Sequence, residues 1–219
     1  MASPANYMIG KGIVSVRPFA AAPSLWTATT AFLVGQTYMT AAGAVYNVTT
    51  AGTSGATAPT ATTGSVTDGT ATLAYVNWVD IGNCPKFEFK PDLKTLDHYT
   101  SRNFAMTQDA KVVTQVGGKL TVTSDEITTY NLAIAVLGTT TGTVGSQVTQ
   151  VLAKAGWQGQ VQLVQTNSIG LRKNWTFTNV LFIPDKALSI IDTKFVEMEL
   201  AGDTLIDPTG SFGTVTEIP

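Results

Sequence analysis

The chain of 219 residues has a single cysteine, Cys84, and a single histidine, His98. One cysteine excludes a disulfide framework and any cysteine-based metal site. Its simplest role is that of a small buried apolar side chain. One histidine removes histidine-cluster metal sites, and leaves only this residue for a Ser-His-Asp arrangement. Charge is scarce too: charged residues make up 13% of the chain, against roughly 25% in ordinary globular domains. Between Pro18 and Thr67 there is no Asp, Glu, Lys, Arg or His at all. With a net charge of -2 and a pI near 5.3, the sequence has no basic footprint for gripping nucleic acid. No apolar run approaches the ~18 residues of a membrane-spanning helix. The first dozen residues have neither the charged nor the apolar region of a signal peptide. The expectation is a soluble protein made in a cytoplasm.

Catalytic patterns are missing as well. Gly10-Lys11-Gly12 lacks the spacing and the following Ser/Thr of a phosphate loop. Asp92, Asp97 and His98 lie close in sequence but have no nucleophile motif beside them. Asp203, Asp207 and Glu217 do not have the spacing of a calcium loop. The chain is expected not to be an enzyme and to need no cofactor or metal.

What fills the sequence is Thr, Ala, Gly and Val, of which Thr and Val favour strands. The step in charge density divides the chain into an inserted module at residues 22–80 and a discontinuous domain made of residues 1–21 and 81–219. Within the module, Gly35–Thr40, Val45–Thr50 and Thr70–Val79 read as strands. Gly43 and Asp68-Gly69 mark turns, and Ala51–Thr67 reads as a long loop. Trp26 and Trp78 bracket the module and are expected to anchor its core.

The larger domain reads as mainly β, a sandwich or barrel with one flanking helix and a long extended loop. Lys86–Lys90 alternates Phe87 and Phe89 against charged residues. Lys111–Val116 and Lys119–Thr123 read as a hairpin around Gly117-Gly118. Gly159–Thr166 and Thr193–Leu200 alternate as strands. Asn174–Ile183 slips phase, which predicts a bulge near Asn179. Thr123-Ser124-Asp125-Glu126 fits a capping box that opens a helix over Ser124–Leu137 and is closed by Gly138. Leu93–Gln108 reads as a loop too long to be a simple connection. Its Leu96, Tyr99, Phe104 and Met106, with the pairable Asp97 and Arg102, suggest a segment that orders against a partner.

Several runs in the larger domain resemble phage tail tube proteins, also called major tail proteins. They are Leu96-Asp97-His98-Tyr99-Thr100-Ser101-Arg102, Lys119–Ile127, Asn131-Leu132-Ala133, the opening Gly10–Val14 and the closing Phe212–Thr216. The resemblance implies hexameric rings stacked into a tube in the virion tail, with strands of six subunits joined around a lumen through which DNA passes without sequence-specific binding. It also implies neighbours such as the tape measure and terminator proteins. If polar strand faces line that lumen, Glu88, Glu197 and Glu199 are the candidates on it. The module resembles small β-modules of virion proteins and chitin-binding-type carbohydrate modules. This makes Trp26, Tyr38, Tyr46 and Trp78 candidate glycan contacts, although a module this small needs large aromatics for its own core. The competing functions are a carbohydrate-binding or adhesin-like module and another virion component, such as a head-decoration or tail-terminator protein.

Overall fold

The computed structural model describes residues 10–102, 106–167, 170–191, 193 and 195–218. The protein is mainly β, of the sandwich class, with a single α-helix among the described residues. Its main sheet holds β1 (Gly12–Pro18), β9 (Val79–Asp80), β10 (Lys86–Thr100), β11 (Thr107–Ser124), β14 (Trp157–Gln165), β15 (Arg172–Phe182), β16 (Met198–Thr204) and β17 (Gly213–Ile218). The strand order is β10-β11-β16-β15-β14-β1-β9, and β17 lies beside β15.

The sheet curls without closing into a barrel. Its corner is in β15, where Gly159 pairs with Val180 but Val161 pairs with Phe177, so Thr178 and Asn179 together oppose Gln160. That is the bulge expected near Asn179. On one side of it β15 pairs with β17, and on the other with β16. A bulge bends its strand and increases the local twist, which turns the two halves of the sheet toward each other. Phe89 of β10 then meets Phe177 of β15 at 4.9 Å between ring centres. Val14, Val16, Leu120, Val122, Val161 and Leu200 fill the space between.

The helix α1 (Thr129–Ala135) covers one side of this core with Ile134 buried. It is shorter than expected and starts later. Ser124 still belongs to β11, and its hydroxyl donates to the Ile81 carbonyl. Glu126 turns away from any capping box and accepts from the Asn83 amide. The N-cap is Thr128, whose Oγ1 accepts from Asn131 N at 3.1 Å. A short hairpin, β12 (Thr139–Thr141) with β13 (Val148–Gln150), follows the helix.

The module holds a sheet of β2 (Ser24–Leu25), β4 (Thr37–Met39), β5 (Val45–Thr50), β8 (Ala71–Tyr75) and β7 (Ser65–Asp68), plus a pair formed by β3 (Ala31–Phe32) and β6 (Gly52–Thr53). The turn after Asp68 joins β7 to β8, with Gly69 in the left-handed region at φ 64°. Tyr46, Phe32, Leu73 and Val48 form the module's core, and Phe32 stacks on Tyr38 at 3.9 Å. The last residues of the expected module, Val79 and Asp80, instead pair with β1 in the main sheet.

Three further expectations are corrected. Leu93–Gln108 is not a loop: most of it is strand, because β10 and β11 pair from Lys86/Thr123 out to Thr100/Thr107. Gly117-Gly118 is not a turn, since both residues lie inside β11 opposite Asp92 and Pro91. Thr193–Leu200 is strand only from Met198, where pairing with Ser124 begins.

Candidate assembly interface

Only the base of the β10–β11 hairpin belongs to the body of the sheet. β11 pairs with β16 from Gly118 to Ser124, so residues 91–102 and 106–117 project as a two-stranded arm, with no third strand beside it among the described residues. Two bulges, at Lys94/Thr95 and His98/Tyr99, bend the arm. A two-stranded ribbon is marginally stable alone in water. This one also exposes many apolar side chains, with Leu96 66% and Met106 70% accessible and Leu93, Val112, Val113 and Val116 each more than half so. Contiguous apolar exposure of this kind marks an interaction surface. β10 is also the last strand in its sheet, so its outer backbone row has no ladder partner among the described residues. An open strand edge of this length is a template for another chain.

The expected contact residues gather on this arm. Leu96, Asp97 and Tyr99 lie on the outer half of β10, Arg102 just beyond its end, and Met106 just before β11. Phe104 lies outside the described residues. Asp97 does not pair with Arg102; it accepts from Gln108 Nε2 at 3.0 Å and faces Lys111 Nζ at 3.5 Å. His98 Nδ1 bonds to Asp109 Oδ1 across the ribbon. Asp92 and Asp97 do not join it in a cluster, and no group of three metal-ligating side chains occurs among the described residues. Leu93, Val112, Val113 and Val116 join this surface only through the pairing of β10 with β11, which no local sequence pattern reports.

The lumen candidates are split. Glu88 and Glu199 lie on the face of β10–β11–β16 that points away from the core, while Glu197 falls outside β16. Register places Lys86, Thr123 and Glu199 in one row across this face, and Lys90, Lys119 and Asp203 in another, with Glu88 and Thr121 between them. Glu88 pairs with Lys86 at 2.9 Å and Glu199 with Lys186 at 3.4 Å. Glu88, and after it Glu199, raises the pKa of the exposed Lys86. The face is therefore balanced rather than acidic.

The four candidate sugar contacts do not form a platform. Tyr38 and Tyr46 are buried in the module core. Trp26 packs against that core and donates Nε1–H to Asp68 Oδ2 at 2.7 Å. Trp78 sits at the junction with the main sheet, under Arg17.

A family described as "Protein of unknown function UCP028589" matches residues 63–171. This segment runs across the junction between the module and the sheet and contains the whole arm. No curated protein matches the chain.

Proposed function

We propose that this chain is a structural virion protein, the tail tube subunit of a long-tailed phage, whose hexameric rings stack into a conduit for DNA ejection. The observation that carries the reading is the arm: a bent two-stranded ribbon with an open edge and exposed apolar side chains along both of its strands. Such a ribbon gains stability by lying on a neighbouring subunit, and an open edge by joining a neighbour's sheet. Further apolar residues are exposed on loops away from the arm, Leu152, Ile191 and Phe195 among them. They offer surfaces against which a neighbour's arm can pack. In this reading the partners are copies of the chain, with tape measure and terminator proteins at the ends of the stack, and DNA passes without sequence-specific contact.

Negative-stain electron microscopy of the purified protein tests the proposal. Rings of six or stacked tubes are the expected result. A protein that stays monomeric at high concentration would overturn it in favour of an adhesin-like role. Single closed rings that never stack would point to a terminator, and isolated small oligomers to a head-decoration protein.

A further inference from the structure

Between the module and the outer face of the main sheet lies a cleft of about 610 Å³. This is within the size range of sites for small organic ligands, which favour the junctions between domains. Its floor is a lattice of neutral polar side chains on three adjacent strands. Gln162 of β14 opposes Thr176 of β15, which opposes Thr214 of β17, and one step along Asn174 opposes Thr216. Gln162 Nε2 donates to Thr176 Oγ1 at 3.2 Å, and that hydroxyl donates on to Asn174 Oδ1 at 3.4 Å. Neighbouring strands are ~4.8 Å apart, so hydroxyl and amide groups recur across the floor at that interval. One wall carries the aromatic rings of Tyr75 and Trp78.

We propose that this cleft binds a neutral saccharide, a hexose or N-acetylhexosamine unit of a glycan. Each sugar hydroxyl both donates and accepts, as do the Thr hydroxyls and the Asn and Gln amides of the floor. The apolar face of a sugar ring suits an aromatic wall. Charge on the lining excludes a strongly ionic ligand. Its two charged residues, Arg17 and Asp207, are of opposite sign, and both are almost fully buried. Arg17 is held by Gln160, Gly43 and Tyr75, and Asp207 Oδ1 by Thr209 and Ser211. The inference rests on the cleft and not on assembly, so it stands whether or not the protein forms tubes.

The test is binding of the full chain to an array of neutral glucose, galactose, mannose and N-acetylglucosamine oligosaccharides, followed by calorimetric titration of the best binder. Thr176→Val with Thr214→Val removes two floor hydroxyls while keeping strand-favouring side chains. This double variant is expected to weaken binding by about tenfold or more. Thr121→Val, on β11 in the other half of the curled sheet and outside the cleft, is expected to leave binding unchanged. Absence of binding to every neutral oligosaccharide would overturn the proposal. So would equal affinity of the floor variant and the parent, or tighter, salt-sensitive binding of a uronic-acid oligosaccharide than of its neutral counterpart.

Discussion

The guanidinium of Arg17 lies 4.4 Å from the centre of the Trp78 ring, and this contact joins the main sheet to the module. Arg17 belongs to β1 and is almost fully buried. It donates Nη1–H to the Gly43 carbonyl and to Gln160 Oε1, and Nη2–H to the Tyr75 hydroxyl. Burial lowers its pKa below the usual arginine value, but a guanidinium stays charged in proteins. Replacing it by Ala leaves three polar partners without their donor at the junction. Arg17→Ala is expected to cost about 2–4 kcal/mol, read as a lower urea midpoint. Arg17→Lys is expected to restore little, because an ammonium cannot reproduce the planar fork. A variant as stable as the parent would show that the junction contributes nothing.

The same residue bears on whether the module is separable. The chain leaves the main sheet after Pro18 and returns at Val79, and β1 and β9 are neighbours at those points. Insertions between such close ends can be removed. Excising residues 22–77 alone would remove Gly43 and Tyr75 from Arg17, and Gly43 from the Gln160 amide, leaving the guanidinium only Gln160 and the Trp78 ring. Excision with a short Gly/Ser linker plus Arg17→Ser is therefore expected to give a folded domain that assembles like the parent under the microscope. A folded but non-assembling product would place the module in the subunit interface.

The arm separates folding from assembly. Leu96 and Tyr99 are exposed on it, so replacing both by Ser is expected to change monomer stability by only about 0.5 kcal/mol each. Truncated anchors at an interface commonly cost about 2 kcal/mol or more each. The double variant is thus expected to melt like the parent and to elute as monomer under conditions in which the parent, on the proposed reading, forms rings. Unimpaired assembly would remove the arm from the interface.

Local sequence patterns account well for local structure. The phase slip in Asn174–Ile183 located the bulge at Thr178-Asn179, and the alternation of Lys86–Lys90 gave the start of β10. What was not legible depended on distant partners. Gly117-Gly118 looked like a turn, but a Cβ on Gly118 would lie 2.4 Å from the Phe89 ring, so glycine there admits a cross-strand aromatic. Thr123–Glu126 looked like a helix start, but Ser124 and Glu126 are used by Ile81 and Asn83, more than 40 residues upstream. Thr193–Glu197 alternates like a strand, yet β16 starts only where β11 is there to pair with it. At the candidate interface, the outer half of β10 was picked out by its apolar residues. Its strand character was hidden because an arm without a core has no buried face to impose alternation.

Two partly buried groups predict alkaline sensitivity. Burial first, and then Asp80, Asp125 and Glu126, push the Cys84 thiol up to about 12. Burial pushes the Tyr130 phenol up to about 12. In the unfolded chain these groups titrate at about 8.5 and about 10. The folded state therefore holds both protons more tightly, and stability is at its full value below about pH 8.5 and falls as pH rises toward 12. Melting temperatures between pH 8 and 11.5 are expected to decline, and to decline less in Cys84→Ala, which removes the earlier of the two transitions. A pH-independent Tm over that range would contradict the assignment.

The last prediction concerns the outward face of β10–β11–β16, where Lys86, Lys90 and Lys119 stand among Glu88, Glu199 and Asp203. With three lysines against three carboxylates, and Lys186 3.4 Å from Glu199, this face is close to balanced and would neither strongly attract nor strongly repel a phosphate chain. Each neutralised phosphate releases counterions and adds affinity, so a channel wall with unopposed lysines would hold DNA rather than pass it. The carboxylates are what prevents this, and Glu88 already sits 2.9 Å from Lys86. Glu88→Gln with Glu199→Gln would leave the side-chain volumes almost unchanged and remove two negative charges per subunit, an effect multiplied around any symmetric ring. The parent is expected to leave a short DNA duplex unretarded in a gel at physiological salt. The double variant is expected to retard it, with affinity falling steeply as salt rises. If the assembled variant retards DNA no more than the parent, this face does not line the channel.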